Sequence, residues 1–172
     1  MVAAGDKILA TDVDDIEDYT INRPLVRLIA QSAQSLTDNT TTAITFGASS
    51  EDVDTHGYHD TASNTSRITP TIGVSAYWRI TALAWISSNT TTSDFFVGIY
   101  KNGSIHTINR NKPDPGVSDA FSAQVTAIVL LNGTSDFVEM FINNDDTGGA
   151  ARNTATGAGT ACVLEAEFLR PA

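Results

Sequence analysis

The stretch Arg67–Ser88, RITPTIGVSAYWRITALAWISS, constrains the fold more than any other part of the chain. Pro70 fixes φ and withholds a hydrogen-bond donor, and Gly73 relieves the turn that follows, so a strand-like Arg67-Ile68-Thr69 must run into a corner. Beyond the corner, Val74 to Ser87 is dense in β-branched and aromatic residues and reads as one long strand. From Tyr77 to Ile86 the pattern first alternates and then turns apolar on both faces, which predicts a central strand of a two-sheet stack. No catalytic signature lies in this stretch, so it is architecture.

The remainder of the chain repeats the same grammar. Pro24 to Leu36 fits a helix through Leu25, Leu28 and Ile29, but Val26, Leu28 and Ala30 also alternate, and a strand from Leu25 to about Ala33 is the preferred reading. Further strands are expected at Thr42–Phe46, Asp94–Tyr100, Ser104–Asn109, Phe121–Leu131, Phe137–Asn143 and Thr160–Leu169. Lys101-Asn102-Gly103-Ser104 predicts a hairpin, because Asn-Gly supplies the two positive-φ positions of a type I′ turn. Arg110–Ser118 and Asn144–Gly159 read as exposed loops. About eight to ten short strands, with turns every 8–12 residues, predict an all-β jelly-roll sandwich. Its 172 residues suit one such domain, 23–172, behind a distinct N-terminal arm, 1–22.

Charge narrows the partners. A formal net charge of −10 argues against a nucleic-acid backbone or an anionic membrane surface as the ligand. No run approaches the length of a membrane span, and Met1 to Lys7 contains no apolar secretory core. The single Cys162 excludes an internal disulfide and, in its apolar surroundings, reads as a small buried hydrophobe. Asn39, Asn64, Asn89, Asn102 and Asn132 each begin an Asn-x-Ser/Thr match, and with no export signal they read as turn residues.

Two acidic clusters invite chemistry. In the arm, six acids against the lone Lys7 leave a local charge of −5. Thr11 or Asp12 would cap a short helical turn through Ile16 and Tyr19, and Asp12, Asp15, Ile16 and Tyr19 are the candidate attachment residues. The Asp12-Asp14-Asp15 spacing lacks the glycine and distal glutamate of a calcium loop. So acidic a segment is expected to gain order only against a partner. Glu51–Asp60, EDVDTHGYHD, offers His56, His59 and Asp54 as zinc ligands in type. Gly57 disfavours the helix that would aim both histidines one way, so a structural loop is the favoured reading. No Gly-x-Ser-x-Gly elbow or equivalent nucleophile occurs, and neither an enzyme nor a cofactor is expected.

Several landmarks in order resemble the trimeric jelly-roll heads of the complement and tumour necrosis factor type. They are Tyr58-His59-Asp60 running to Arg67-Ile68-Thr69-Pro70, Gly73 before Tyr77-Trp78-Arg79-Ile80, Val97 to Gly103, and Leu130 to Val138, with Cys162–Leu169 as the closing strand. The spacing departs from that pattern between Gly73 and Tyr77 and between Gly133 and Asp136, and no Gly-X-Y repeat precedes the head. The wording of Arg23–Leu28 and Asp38–Phe46 is most similar to bacteriophage virion proteins that carry such a head, those of actinobacterial phages among them.

The resemblance implies a homotrimer on the virion surface. The arm would join it to the major capsid protein or to a tail protein, as a capsid decoration protein. The alternative is a tail-tip protein that binds host glycan through Arg110–Ser118 and Asn144–Gly159, although neither loop holds a Trp or Tyr to stack on sugar. Tyr77, Trp85, Phe95, Phe141 and Phe168 are the candidates for the threefold interface, each with plain core as its alternative.

Overall fold

The computed structural model describes residues 23–89, 91–113, 119–157 and 159–172. The arm with Asp12, Asp15, Ile16 and Tyr19 lies outside the described residues, as do 114–118 of the Arg110–Ser118 loop. In chain order the strands are β1 (Leu25–Ile29), β2 (Ser35–Leu36), β3 (Thr42–Ala43), β4 (Glu51–Asp54), β5 (Arg67–Ile68), β6 (Ala76–Asn89), β7 (Thr92–Lys101), β8 (Ser104–Asn111), β9 (Asp119–Leu131), β10 (Val138–Asp146), β11 (Arg152–Asn153) and β12 (Val163–Pro171). Of these twelve, four have two residues each: β3 and β5 join the sandwich, and β2 and β11 pair apart from it.

One sheet, here sheet I, has the order β4-β1-β12-β6-β9; the facing sheet II has the order β3-β10-β7-β8, with β5 also on β10. A small β11–β2 ribbon closes one end. Every pairing is antiparallel. The long β6 sits between β12 and β9, with Ile80 opposite both Ala166 and Ala127.

Period-two alternation builds the core. Ala76, Trp78, Ile80, Ala82, Ala84 and Ile86 of β6 point inward, against Phe95, Val97 and Ile99 of β7 and Met140 and Ile142 of β10. Trp78 is the central side chain. It meets Phe168 edge-on at 5.6 Å and Tyr58 at 5.9 Å, the arrangement aromatic quadrupoles prefer.

Four expectations need adjusting. The first strand stops at Ile29, because the Ala30 amide then bonds Cys162 O, outside the ladder. Strand β8 continues through Arg110-Asn111. Strand β10 runs on through Asn144, Asp145 and Asp146. These are poor strand formers by propensity, yet they stay paired opposite Phe95, Asp94 and, after a bulge between Asp145 and Asp146, Thr92, so tertiary pairing overrides local preference. Finally, β6 buries only one face fully in the single chain. Its other face, with Tyr77, Leu83 and Trp85, is half-buried, since no third layer covers it.

Residues with positive φ mark the turns between strands. Asn102 and Gly103 adopt φ of 52° and 74°, the type I′ pair that matches strand twist. Gly133, at φ 73°, sits so close to the corner that an added Cβ would lie 2.0 Å from Val74 O. The Gly73 amide donates to Gly133 O at 2.8 Å, so the two turns are stitched together. Asn39 and Asn64 also take positive φ, as turn asparagines do.

Candidate functional site

The outward face of sheet I is a ruled grid, because antiparallel partners share a face. Ile29, Val163 and Leu83 form one apolar row across β1, β12 and β6. The next row sets Arg27, Glu165, Thr81 and Thr126 side by side. Arg27 reaches Asp52 at 2.6 Å and Glu165 at 3.5 Å, while the two threonine hydroxyls meet at 3.1 Å. In the third row Arg79 pairs with Glu167, which also takes Arg23 at 3.0 Å. These ion pairs are half-exposed and contribute little individually, about 0–1 kcal/mol each; their effect is to fix register. A groove of about 420 Å³ opens at the apolar end, between Ile29, Leu83, Ala161 and Val163.

Along one flank the edges of β8 and β9 run together. Their free carbonyls are met by side chains: Lys101 Nζ donates to Leu130 O at 2.6 Å and Asn109 Nδ2 to Gln124 O at 2.8 Å. That blunts the edge against strand addition. Around it stand four exposed aliphatic side chains, Ile105 and Ile108 of β8 and Ile128 and Leu130 of β9, with Ile128 63% and Ile105 61% exposed. Register divides them between the two outer faces: Ile128 lies opposite Arg79 and Leu130 opposite Tyr77 on sheet I, whereas Ile105 lies opposite Tyr100 and Ile108 opposite Gly98 on sheet II.

The aromatic interface candidates separate cleanly. Phe95 and Phe168 are corrected to core: Phe95 is fully buried, and Phe168 packs edge-on against Trp78 inside the sandwich, so neither ring is available to a neighbour. Tyr77 and Trp85 lie on the outward face of β6; the Arg170 guanidinium covers the Tyr77 ring at 4.6 Å. Phe141 lies on the opposite outer face, that of sheet II, its ring tilted by 31° against Tyr100 at 4.1 Å. Sequence reasoning chose aromatics and missed the aliphatics Ile105, Ile108, Ile128 and Leu130. Their apolar positions on the outward phase of β8 and β9 were a legible signal once strand phase is known.

The histidine cluster is tied into the loop. Asp54 accepts the amides of Tyr58 and His56 on Oδ1, at 3.1 and 3.3 Å, and the amide of His59 on Oδ2 at 2.9 Å. His59 is buried; its Nδ1 faces Glu51 at 2.8 Å and its Nε2 faces Thr65 O at 3.2 Å, so both ring nitrogens look at oxygens and not into open space. His56 instead contacts Thr55 Oγ1 at 2.7 Å and stacks on Tyr58. Among the described residues no three His, Cys, Asp or Glu side chains are grouped to hold a metal. Cys162 is fully buried, with its thiol pushed up to about 11 by burial, as suits a packing residue.

At the β11 end, sequence reasoning missed a carboxylate hub. Burial raises the pKa of Asp146, but hydrogen bonds from Thr91 Oγ1, Arg152 Nε and the Gly148 and Ala150 amides outweigh it and bring it down to about 2. Asp146 N in turn donates to Asp38 at 2.7 Å. The hub joins the starts of β7 and β11 to the end of β10.

These two facing antiparallel sheets define an all-β jelly roll. A crystal structure of murine APRIL at pH 8.0 superposes with a TM-score of 0.60 at 9% identity, covering 86% of this chain and 99% of that one. APRIL at pH 5.0 gives 0.58 at 10% identity with the same coverage. The globular domain of zebrafish complement 1qA gives 0.53 at 11% identity, covering 86% and 97%. No family model and no curated protein matches the sequence.

Proposed function

We propose that this chain is a non-enzymatic, homotrimeric jelly-roll knob of a bacteriophage particle. Its role is that of a capsid decoration protein, attached through residues 1–22 to the major capsid protein or a tail protein, on the virion surface. One observation carries the trimer: a single chain presents two apolar surfaces that cannot cover each other. One is the outward face of sheet I, with Ile29, Val163, Leu83, Trp85, Ile128 and Leu130; the other is the outward face of sheet II at β8, with Ile105 and Ile108. Placing the β8 face of one copy on the sheet I face of the next is a heterologous contact, and such contacts close into a ring when the rotation is threefold. The similar folds of APRIL and complement 1qA support a knob of this class. The virion assignment is supported by the resemblance of Arg23–Leu28 and Asp38–Phe46 to phage proteins.

Light scattering on the purified chain tests the trimer. Wild type is expected at three times the 18.2 kDa chain mass, and the double variant Ile128→Glu, Leu130→Glu at one times it with its β-sheet circular dichroism intact. A monomeric wild type would defeat the reading. Immunogold labelling of particles then distinguishes head from tail; gold confined to the tail tip would replace decoration with host attachment.

A further inference from the structure

A second recess, of about 440 Å³, lies away from the outward face of sheet I, between the β4–β5 connection and the turn before β10. Its frame is rigid. Thr69 N bonds Tyr58 O at 2.8 Å, His59 bridges Ile68, and β5 is laddered to β10 through Arg67 and Glu139. What distinguishes the recess is that its planar polar groups are held in place and yet only partly used.

Asp60 accepts the amides of Ala62 and Ser63 on Oδ1, at 2.9 and 3.0 Å; these bonds hold the carboxyl below its usual range and leave Oδ2 without a partner among the described residues. Arg67 is clamped from two sides: its Nε bonds Glu139 Oε1 at 3.2 Å and its guanidinium lies 3.9 Å from the Phe137 ring centroid. Its two Nη groups remain uncommitted among the described residues. Asn64 receives the Arg67 amide on its backbone oxygen, which leaves its side-chain amide open. Tyr58 and Phe137 supply apolar wall, and the hydroxyls of Thr69 and Ser135 complete the lining.

We infer that this recess binds a neutral sugar unit. Vicinal hydroxyls each donate and accept, so they match an acceptor (Asp60 Oδ2), a fork of donors (Arg67 Nη) and an amide that does both (Asn64). Phe137 carries the Arg67 guanidinium over its ring and Tyr58 is 7% exposed under His56, so the wall adds a limited apolar contact and the polar groups set recognition. An anionic ligand is disfavoured: the one cation in the recess, Arg67, is already neutralised by Glu139, Asp60 adds negative charge, and the chain carries −10 overall. A single sugar in so open a recess binds weakly, with a Kd on the order of 1 mM. The site is built entirely within one chain and does not depend on the trimer or on a place in the virion.

Saturation-transfer and amide-shift NMR on the full chain tests this, with the methyl glycosides of glucose, galactose, mannose and N-acetylglucosamine as probes. At least one is expected to bind, with shifts concentrated in 57–71 and 135–137. Asp60→Asn keeps Oδ1 for the Ala62 and Ser63 amides but removes the charge; Arg67→Lys keeps the pairing with Glu139 but removes the fork. Each is expected to weaken binding about tenfold with the amide spectrum otherwise unchanged. Should one variant fail to fold, the other decides. Binding by none of the four glycosides, shifts centred elsewhere, or wild-type affinity in the folded variants would overturn the assignment.

Discussion

Single residues in this protein matter most where the backbone has no alternative. Gly133 combines a positive φ with a contact that forbids any Cβ, because Val74 O would lie 2.0 Å away. Gly133→Ala is therefore expected to destabilise by more than about 2 kcal/mol. Thermal denaturation should show a fall of roughly 5–10 °C for a domain of this size. Asp146 acts through charge. Its folded pKa of about 2 lies below the ordinary aspartate value of 3.8, so its contribution is fully present above the higher value and disappears as pH falls towards 2. Asp146→Asn should thus be less stable than wild type at pH 7, and the gap should close in denaturation curves taken from pH 5 down to 2. An unchanged gap would show that the hub works by shape and not by charge.

Among the elements, two turns that look independent in sequence behave as one. Lys101 Nζ pairs with Asp136 at 2.8 Å, Asn102 Nδ2 donates to Asp136 Oδ1 at 2.7 Å, and the Phe137 amide donates to Asn102 Oδ1 at 3.0 Å. The hydrogen bond from Lys101 is the main reason the Asp136 carboxyl lies below its ordinary range. Asn132 Oδ1 meanwhile accepts the amides of Thr134, Ser135 and Asp136, closing an Asx turn. Asp136→Ala is expected to release both turns together. Hydrogen exchange should show protection lost at 101–104 and 132–137 but kept in β6, since exchange reports locally cooperative units. Loss in one turn alone would mean that the coupling is not energetic.

For the whole molecule, charge and apolar area oppose each other. A chain carrying −10 repels its own copies, while exposed aliphatic side chains such as Ile105, Ile108, Ile128 and Leu130 gain from burial between copies. Salt screens the first and leaves the second intact, the Debye length falling to about 3 Å at 1 M. Sedimentation equilibrium is therefore expected to show tighter self-association in about 0.5 M NaCl than in about 0.02 M. The opposite trend would place ion pairs such as Arg79–Glu167 in the contact instead of the aliphatic side chains.

What the sequence determined by itself is the alternation and the punctuation. Pro70, Gly73, Asn102-Gly103 and the β-branched run of β6 are local signals, readable because φ preferences and side-chain phase act within a few residues. They yielded the long central strand, the I′ hairpin, buried Cys162 and the all-β jelly roll. Tertiary structure alone decided which phase of each strand faces inward. That choice sent Phe95 and Phe168 to the core, left Tyr77 and Trp85 outside, and exposed Ile128 and Leu130. It also kept Asn144–Asp146 in a ladder that their propensities oppose, and it joined residues as distant as Asn102 and Asp136, or Asp60 and Phe137, into single clusters. The physical reason is the same in each case: pairing across sheets depends on contacts far apart in the chain, and no local preference encodes them.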